Sequence, residues 1–379
     1  IEIRDAIYRG REDFVYRIAA GQLPFVTSIF PLGGKAGQST QVEVKGWNLP
    51  ADRMTPVFAS PGVHWLFLSK RDPALSARSV DLLLTPESTR SSELLASTEL
   101  ISNRVPFAVD TLPERLDQEP NDSRESPQQV ALPMVINGRI DRRGDWDVFR
   151  FQGRAGQRVI AEVNARRLGS PLDSVLRLTD AAGRQLALND DYEDKGTGLL
   201  THHADSLLRV TLPADGAYFV HLGDTQHKGG PDYAYRLRIS PPQPDFELRA
   251  VSSCINVPAG ATTAFTVYAL RRDEFSGEIA LELKDAPAGF RLGGARVPAG
   301  QDHVRLTLTA PLAPLNEPRS VRLEGRATVE GREVVHAAVP ADDMMQAFAY
   351  HHLVPAHDSK LSTSGRRTST ASVAVLGPS

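Results

Sequence analysis

The feature that most constrains this chain is its punctuation: short runs alternating apolar and polar residues are cut repeatedly by glycine and proline, of which there are 29 and 27. An alternation of period two is the mark of half-buried antiparallel strands, and turn residues at each end close the strands into hairpins and meanders. One device recurs. Ala36-Gly37-Gln38 precedes the run Thr40–Val44, Ala155-Gly156-Gln157 precedes Val159–Val163, and Ala259-Gly260 and Ala299-Gly300-Gln301 repeat the turn further on. Each copy feeds a strand with one apolar face, and their spacing predicts several successive β-sandwiches rather than one large sheet. With 41% hydrophobic and 23% charged residues the chain has globular rather than disordered composition, and 379 residues suffice for two or three domains.

Two polar, Pro-interrupted stretches mark the joints: Leu112–Ser123, too polar for a core strand, and Ser240–Asp245. They predict a first sandwich over residues 1–112, with 1–19 able to finish a preceding domain, a second over 113–242, a third over 243–340, and a C-terminal piece over 341–379. In that last piece Asp342 is placed to cap a short helix through Met344, Met345, Ala347, Phe348 and His351, and after about Lys360 a Ser/Thr/Arg/Gly-rich tail is expected to be loose or marginally paired. The expected class is therefore all-β, tandem sandwiches with one short C-terminal helix. Ile1 opens within an alternating pattern, without a secretion signal, as in a piece of a longer polypeptide. The single cysteine, Cys254, forms no intrachain disulfide and is expected to be a small buried hydrophobe.

Charge and motif content exclude several functions. A net charge of -3 provides no field for polyphosphate, so no nucleic-acid partner is expected, and no apolar stretch approaches the ~20 residues of a bilayer-spanning helix. Gly-x-Ser-x-Gly and His-Glu-x-x-His are both absent, and no glycine-rich string is set between strand and helix to cradle phosphate. Neighbours on a strand point to opposite faces, so neither His202-His203 nor His351-His352 makes a zinc site. The chain is expected to be no enzyme.

Oxygen ligands are denser. Asp117, Glu119, Asn121 and Asp122 lie within six residues, and in an extended chain the first three project to one side, ~7 Å apart. Calcium takes six to eight oxygens, more than one strand supplies, and Asp145 with Asp147 in the Gly144-Asp145-Trp146-Asp147 turn is the evident second donor. The alternative is a solvated linker in which Asn121 and Asp122 make turns. A second acidic group, Asp173, Asp190, Asp191, Asp194 and Asp205, is spread over three connections; it could converge at one end of a sandwich or serve the turns locally. Tyr192 and Tyr233 sit in Gly/Asp-rich loops, where exposed rings would stack on sugars or pack over the sandwich end.

The middle segment carries an ordered series: Glu119-Pro120-Asn121-Asp122, Asn137-Gly138-Arg139-Ile140, Gly144–Phe151, Ala155-Gly156-Gln157, Leu172-Asp173, Leu176–Asp180, Asn189-Asp190-Asp191 and Asp215–Val220. This series resembles the bacterial pre-peptidase C-terminal domain, a jelly-roll-like sandwich appended to secreted proteases and other extracellular proteins, over about residues 117–240. The resemblance implies calcium between the acidic linker and the Asp-x-Asp turn, although Asp117 stands where a Glu would match better. The first segment, with Pro24–Pro31 and Thr40–Leu49, looks like an immunoglobulin-like domain of the IPT/TIG kind, and the third, with Ala286–Phe290, is similar to bacterial immunoglobulin-like modules. The combined order looks like exported planctomycete-type proteins. What the resemblances imply is a secreted, periplasmic or envelope-associated array, non-catalytic and calcium-assisted, that presents loops to a polysaccharide or an extracellular protein beside neighbouring domains of a larger polypeptide. The alternatives are a purely structural array and the accessory region of a hydrolase whose catalytic domain lies elsewhere.

Overall fold

A computed structural model describes residues 18, 22–70, 100–192, 204–345, 351–356 and 358–364. The chain divides into two compact units, residues 1–111 and 112–379. The first unit is built of small sheets: Phe25–Phe30 with Val42–Trp47 and Arg53–Met54, Gly33–Lys35 with Val105–Asp110 and Gly62–Leu66, and the pair Ser69–Lys70 with Leu100–Ile101. The alternation does what period two requires. In Val42–Trp47, Val42 and Val44 are buried and Glu43 and Lys45 exposed.

In the second unit, no sheet among the described residues takes strands from both sides of Ser240–Asp245. Before that connection two five-stranded sheets face each other. The first runs in the order Gln128–Gln129, Trp146–Gly153, Gly216–Asp224, Ser174–Asp180, Gln185–Asn189. The second runs Leu207–Thr211, Arg158–Asn164, Ala234–Ser240, Met134–Arg139, Glu114–Leu116. Phe149, Phe151, Val220, Leu222 and Leu176 from one meet Val159, Val163, Leu237, Ile239 and Ile136 from the other in a single core. After the connection, a six-stranded sheet led by Thr262–Arg272 and Asp245–Val251 and a four-stranded sheet centred on Ile279–Lys284 and Arg322–Val329 enclose a core around Phe246, Leu248, Phe265 and Leu306.

Three expectations are corrected. The C-terminal helix is not formed: Val339–Met345 and His351–Pro355 pair antiparallel, and Asp342, instead of capping a helix, accepts the Ser253 N–H and hydroxyl at 3.0 and 3.1 Å. An apolar spacing of three or four over so few residues also fits a strand, and the open edge of Asp245–Val251 claims it in parallel. The first linker holds no core strand; Glu114–Leu116 adds only a short parallel edge strand to Met134–Arg139. Lys360–Ser362 is a paired strand with Leu361 fully buried, so order extends to that point of the tail. Cys254 is exposed, not buried. His202-His203, Asp194 and the tail beyond Ser364 lie outside the described residues, and His351-His352 falls in a strand.

Candidate metal centre

The acidic linker is placed by three backbone contacts. After its edge strand the Asp117 N–H donates to the Asn137 carbonyl at 2.9 Å, and the chain then turns: the Glu119 carboxylate accepts the Asn121 N–H at 2.9 Å and the Asn121 side-chain amide donates to Asp117. The Asn121 carbonyl accepts the Val148 N–H at 2.9 Å, tying the linker to the Trp146–Gly153 strand beside Asp147. The side chains are therefore gathered by a turn, not ranged along one side of an extended strand as the spacing alone predicts. Opposite the linker, Asp145 closes the turn from Asp141, whose N–H it accepts at 3.0 Å, with Gly144 in the left-handed region at φ 77°.

Asp147 occupies an inward position of its strand, fully buried at the end of the core, where its carboxylate accepts the Tyr235 hydroxyl at 2.5 Å. Gly138, the cross-strand partner of Tyr235, makes the room: a Cβ there would lie 2.3 Å from the Tyr235 hydroxyl and 2.8 Å from the Asp117 Cβ. The result is two overlapping groups. Carboxylate oxygens of Asp117, Glu119 and Asp147 lie within 4.8 Å of one another, as do those of Glu119, Asp122 and Asp145.

The electrostatics of this arrangement are one-sided. Arg142 pairs with Asp122 and lies 3.6 Å from Asp145, but it is 69% exposed and compensates weakly. Burial, then the neighbouring Glu119, pushes the Asp117 carboxyl up to about 7, and burial followed by Asp117 pushes Asp147 well above the usual carboxylate range. Glu119 is raised as well, chiefly by burial, and Tyr235 is raised by burial and by Asp147. Four oxygens, Asn121 Oδ1, Asp122 Oδ1, Asp145 Oδ1 and Asp147 Oδ1, are buried without a hydrogen-bond partner. A buried acceptor left unpaired costs about 1–3 kcal/mol, and four in one place are what a cation would satisfy. All six side chains offer oxygen, so the donor set fits a hard divalent ion better than a soft one.

The second acidic group does not assemble. Asp205, fully buried, accepts the N–H groups of Ala165, Arg166 and Arg167 at 3.0, 2.7 and 3.1 Å and the Arg167 Nε at 2.8 Å, so it closes the 3₁₀ turn Arg166–Leu168. Asp173 accepts the Gln226 amide, and Asp190 and Asp191 are exposed on their loop, where Asp190 accepts the Asp191 N–H. None of the four joins a metal-competent group among the described residues. Tyr192 lies under Arg209, whose guanidinium is 5.0 Å from the ring, and Tyr233 packs against the core, so neither offers the free ring expected of a stacking platform. Tyr235, Gly138 and Arg142 were not legible as site residues, because Tyr235 meets Asp147 across 88 positions of sequence.

Residues 145–223 match the sequence profile of the bacterial pre-peptidase C-terminal domain. A probable subtilase-type serine protease of Deinococcus radiodurans is 34% identical over 127 residues, covering 30% of this chain and 16% of that protein, so the chain spans less than a fifth of the protease's length. Among solved structures, the pre-peptidase C-terminal domain of collagenase from Bacillus anthracis aligns over 35% of this chain and 100% of that one, at 12% identity and a TM-score of 0.24. The D0-D1 domain of intimin aligns over 51% and 96%, at 12% identity and a TM-score of 0.18. The matched domain is a non-catalytic accessory domain found in subtilase-type proteases, and no helix of the described residues is long and apolar enough to cross a membrane. Residues 145–223 of this chain are a bacterial pre-peptidase C-terminal domain.

Proposed function

We propose that this chain is a non-catalytic binding or adhesion array of an exported bacterial protein, in which a calcium ion fastens the 112–123 linker to the middle sandwich between immunoglobulin-like neighbours. The observation that carries the reading is the set of four buried oxygens without a hydrogen-bond partner shared between the linker and the Asp145–Asp147 turn. Asp117, Glu119, Asn121, Asp122, Asp145 and Asp147 would hold the ion, and carbonyls or water would complete the six to eight oxygens calcium takes. The ion would neutralise carboxylates that otherwise repel one another and would bind the docked linker, not the free one. The array's partner is a polysaccharide or an extracellular protein.

The test is a thermal melt of the full chain with calcium and with chelator, together with calorimetric titration of calcium alone. At 100 times the dissociation constant, calcium should stabilise the domain by about 2.7 kcal/mol through mass action. Asp147→Asn should remove most of that gain. Identical melting curves and no heat of binding would leave the carboxylates as a linker and a turn, which is the purely structural array.

A further inference from the structure

The two outer faces of the middle sandwich are built in opposite ways. On the sheet containing Ala234–Ser240, charges are matched: Arg236 pairs with Glu114 at 2.5 Å, and Arg238 pairs with Glu162 at 2.7 Å and Asp273 at 2.6 Å. On the sheet containing Gly216–Asp224 the outward positions follow from register: Arg150 stands opposite Phe219, which stands opposite Thr179, and in the next row Val148, His221, Arg177 and Leu188 lie side by side. Phe219, His221, Thr179 and Val148 are buried although they point away from the core, and arginines lie over this face. The Arg124 guanidinium carbon lies 4.7 Å from the Phe219 ring centre and that of Arg177 lies 5.1 Å from Trp146, whose indole lies against Gly223, where a Cβ would meet it at 3.0 Å.

These arginines have no carboxylate partner among the described residues. Arg124 donates to the backbone carbonyls of Asp180 and Ala181 at 3.4 and 2.6 Å, Arg177 reaches His221 Nδ1 at 3.4 Å, and Arg150 donates to the Gln129 side-chain oxygen at 2.8 Å. The Asp180 carboxylate is turned to Arg184. The Nε atoms of Arg124 and Arg177 are buried without a partner. Burial, and then the positive charge of Arg177 and Arg124, hold His221 down to about 4, so it stays neutral beside them.

We propose that this face, centred on Arg124, Arg150 and Arg177, is a docking surface for an anionic polysaccharide. Charge complementarity selects an anion, since three guanidiniums and aromatic rings stand together with no acid to neutralise them. The donor inventory selects a sugar chain over a peptide. The strands Trp146–Gly153, Gly216–Asp224 and Ser174–Asp180 are each paired on both sides, so their backbone groups are spent in the sheet, and the face presents almost only side-chain donors. An extended peptide would bring a backbone N–H at each residue that such a face cannot accept, whereas a uronate or sulfated chain brings acid and ring oxygens that only accept, and hydroxyls that can accept or turn to water. Leu188, 52% exposed beside Arg177, adds an apolar edge for a sugar ring. This deepens the binding-array reading by naming the class of ligand, and it does not depend on calcium.

The test uses the full chain, in calcium and in chelator, against polygalacturonate, a neutral glucan, poly-glutamate and single-stranded DNA, by calorimetry at low and at raised salt. Polygalacturonate alone should bind, more weakly as salt rises, and to a similar degree in chelator if the face stays folded. Arg150→Gln and Arg177→Gln should each weaken binding about tenfold, the size of one lost charge-assisted hydrogen bond. Should Arg177→Gln unfold the sheet, Leu188→Glu, at an exposed position, places a repelling charge on the same face and should weaken binding at least as much. Equal binding by these variants, no binding by the wild type, or preference for poly-glutamate or DNA would each overturn the proposal. A calcium-dependent melt without polygalacturonate binding would overturn it while leaving the calcium site standing.

Discussion

The joints at the two ends of the middle sandwich solve opposite electrostatic problems. At the leading joint, five carboxylates converge, with one exposed arginine to oppose them among the described residues. At the trailing joint, Arg238 lies between Glu162 of the middle sandwich and Asp273 of the third, Asp273 also accepts the Gln243 N–H at 2.8 Å, and Arg167 pairs with Glu162 at 3.1 Å. Both joints are polar, but the leading one is buried only at Asn121, Asp145 and Asp147 and open at Glu119. The trailing one is complete in protein atoms alone, whereas the leading one keeps unpaired oxygens. A polar joint of the first kind is fixed once the chain has folded, and one of the second kind responds to its solution.

The largest effect is expected at the trailing joint. Removing Arg238 leaves Glu162 and Asp273 facing each other without their shared cation, and breaking a buried pair from one side costs about 3–5 kcal/mol. Arg238→Ala should therefore lower stability by that order in a denaturant titration, with calcium present or absent. Burial alone would raise the Glu162 carboxyl, but Arg167 and Arg238 hold it down to about 2, against about 4.5 in the unfolded chain. A carboxyl depressed on folding stabilises above its unfolded value, so in the wild type this contribution is lost as pH falls from about 4.5 to about 2. A loss below about 1 kcal/mol in the variant would mean that the joint is solvated and that the two joints differ little.

The leading joint should respond to pH with the opposite sign, by about the 2.7 kcal/mol of calcium linkage at 100 times the dissociation constant. Asp117 titrates near 3.8 when unfolded and up to about 7 when folded, so the folded chain carries the extra proton between those values. In chelator, stability should fall as pH rises from about 4 to about 7. Calcium competes with those protons, so its stabilising effect should grow through the same window and be complete above it. Melts at pH 4.5 and 7.5, with and without calcium, separate the cases, and an equal calcium shift at both values would remove the carboxylates from the account.

How much of this was legible follows from where each residue finds its partner. Val42, Val44, Val159 and Val163 announce their strands because alternation is local, and the Asp-x-Asp turn and the acidic linker are each visible within a few positions. What sequence spacing cannot carry is pairing. Residues 342–352 have a spacing that fits a helix until Val339–Ala341 joins the edge of Asp245–Val251 and Ala341–Met345 pairs with His351–Pro355, and Asp205 looks like a ligand until the N–H groups of Ala165–Arg167, some 40 positions away, use its oxygens. The unpaired arginines of the outer sheet face were invisible for the same reason: an arginine lacks a partner only once its neighbours across the sheet are known.

A smaller change sharpens the view of the leading joint. Gly138→Ala puts a methyl group 2.3 Å from the Tyr235 hydroxyl, backed by Asp117, so either Tyr235 releases Asp147 or the linker moves out. Overpacking of this kind costs about 1–3 kcal/mol. If the carboxylates hold calcium together, the variant should also lose calcium affinity, and because no ligand has been removed, that loss would report on the geometry of the cluster. Unchanged affinity with lowered stability would separate the packing of Tyr235 from the site.

The smallest effect belongs to the rim of the trailing joint, where Asp245 accepts from His336 at 2.8 Å with both side chains more than a third exposed, at 42% and 35%. The hydrogen bond that His336 donates to Asp245 raises the imidazole above its ordinary value, and in return Asp245, which burial alone would raise, is lowered chiefly by His336. A histidine raised on folding stabilises below its unfolded value, near 6.5, and the contribution disappears as pH rises through the folded one. The pair should therefore strengthen the third sandwich at pH 5.5 relative to pH 8, and solvent screening at such exposure keeps the difference under about 1 kcal/mol. His336→Gln should flatten that slope and leave both the acid loss governed by Glu162 and the calcium response unchanged. If His336→Gln altered either of them, the rim and the two joints would be one coupled electrostatic system.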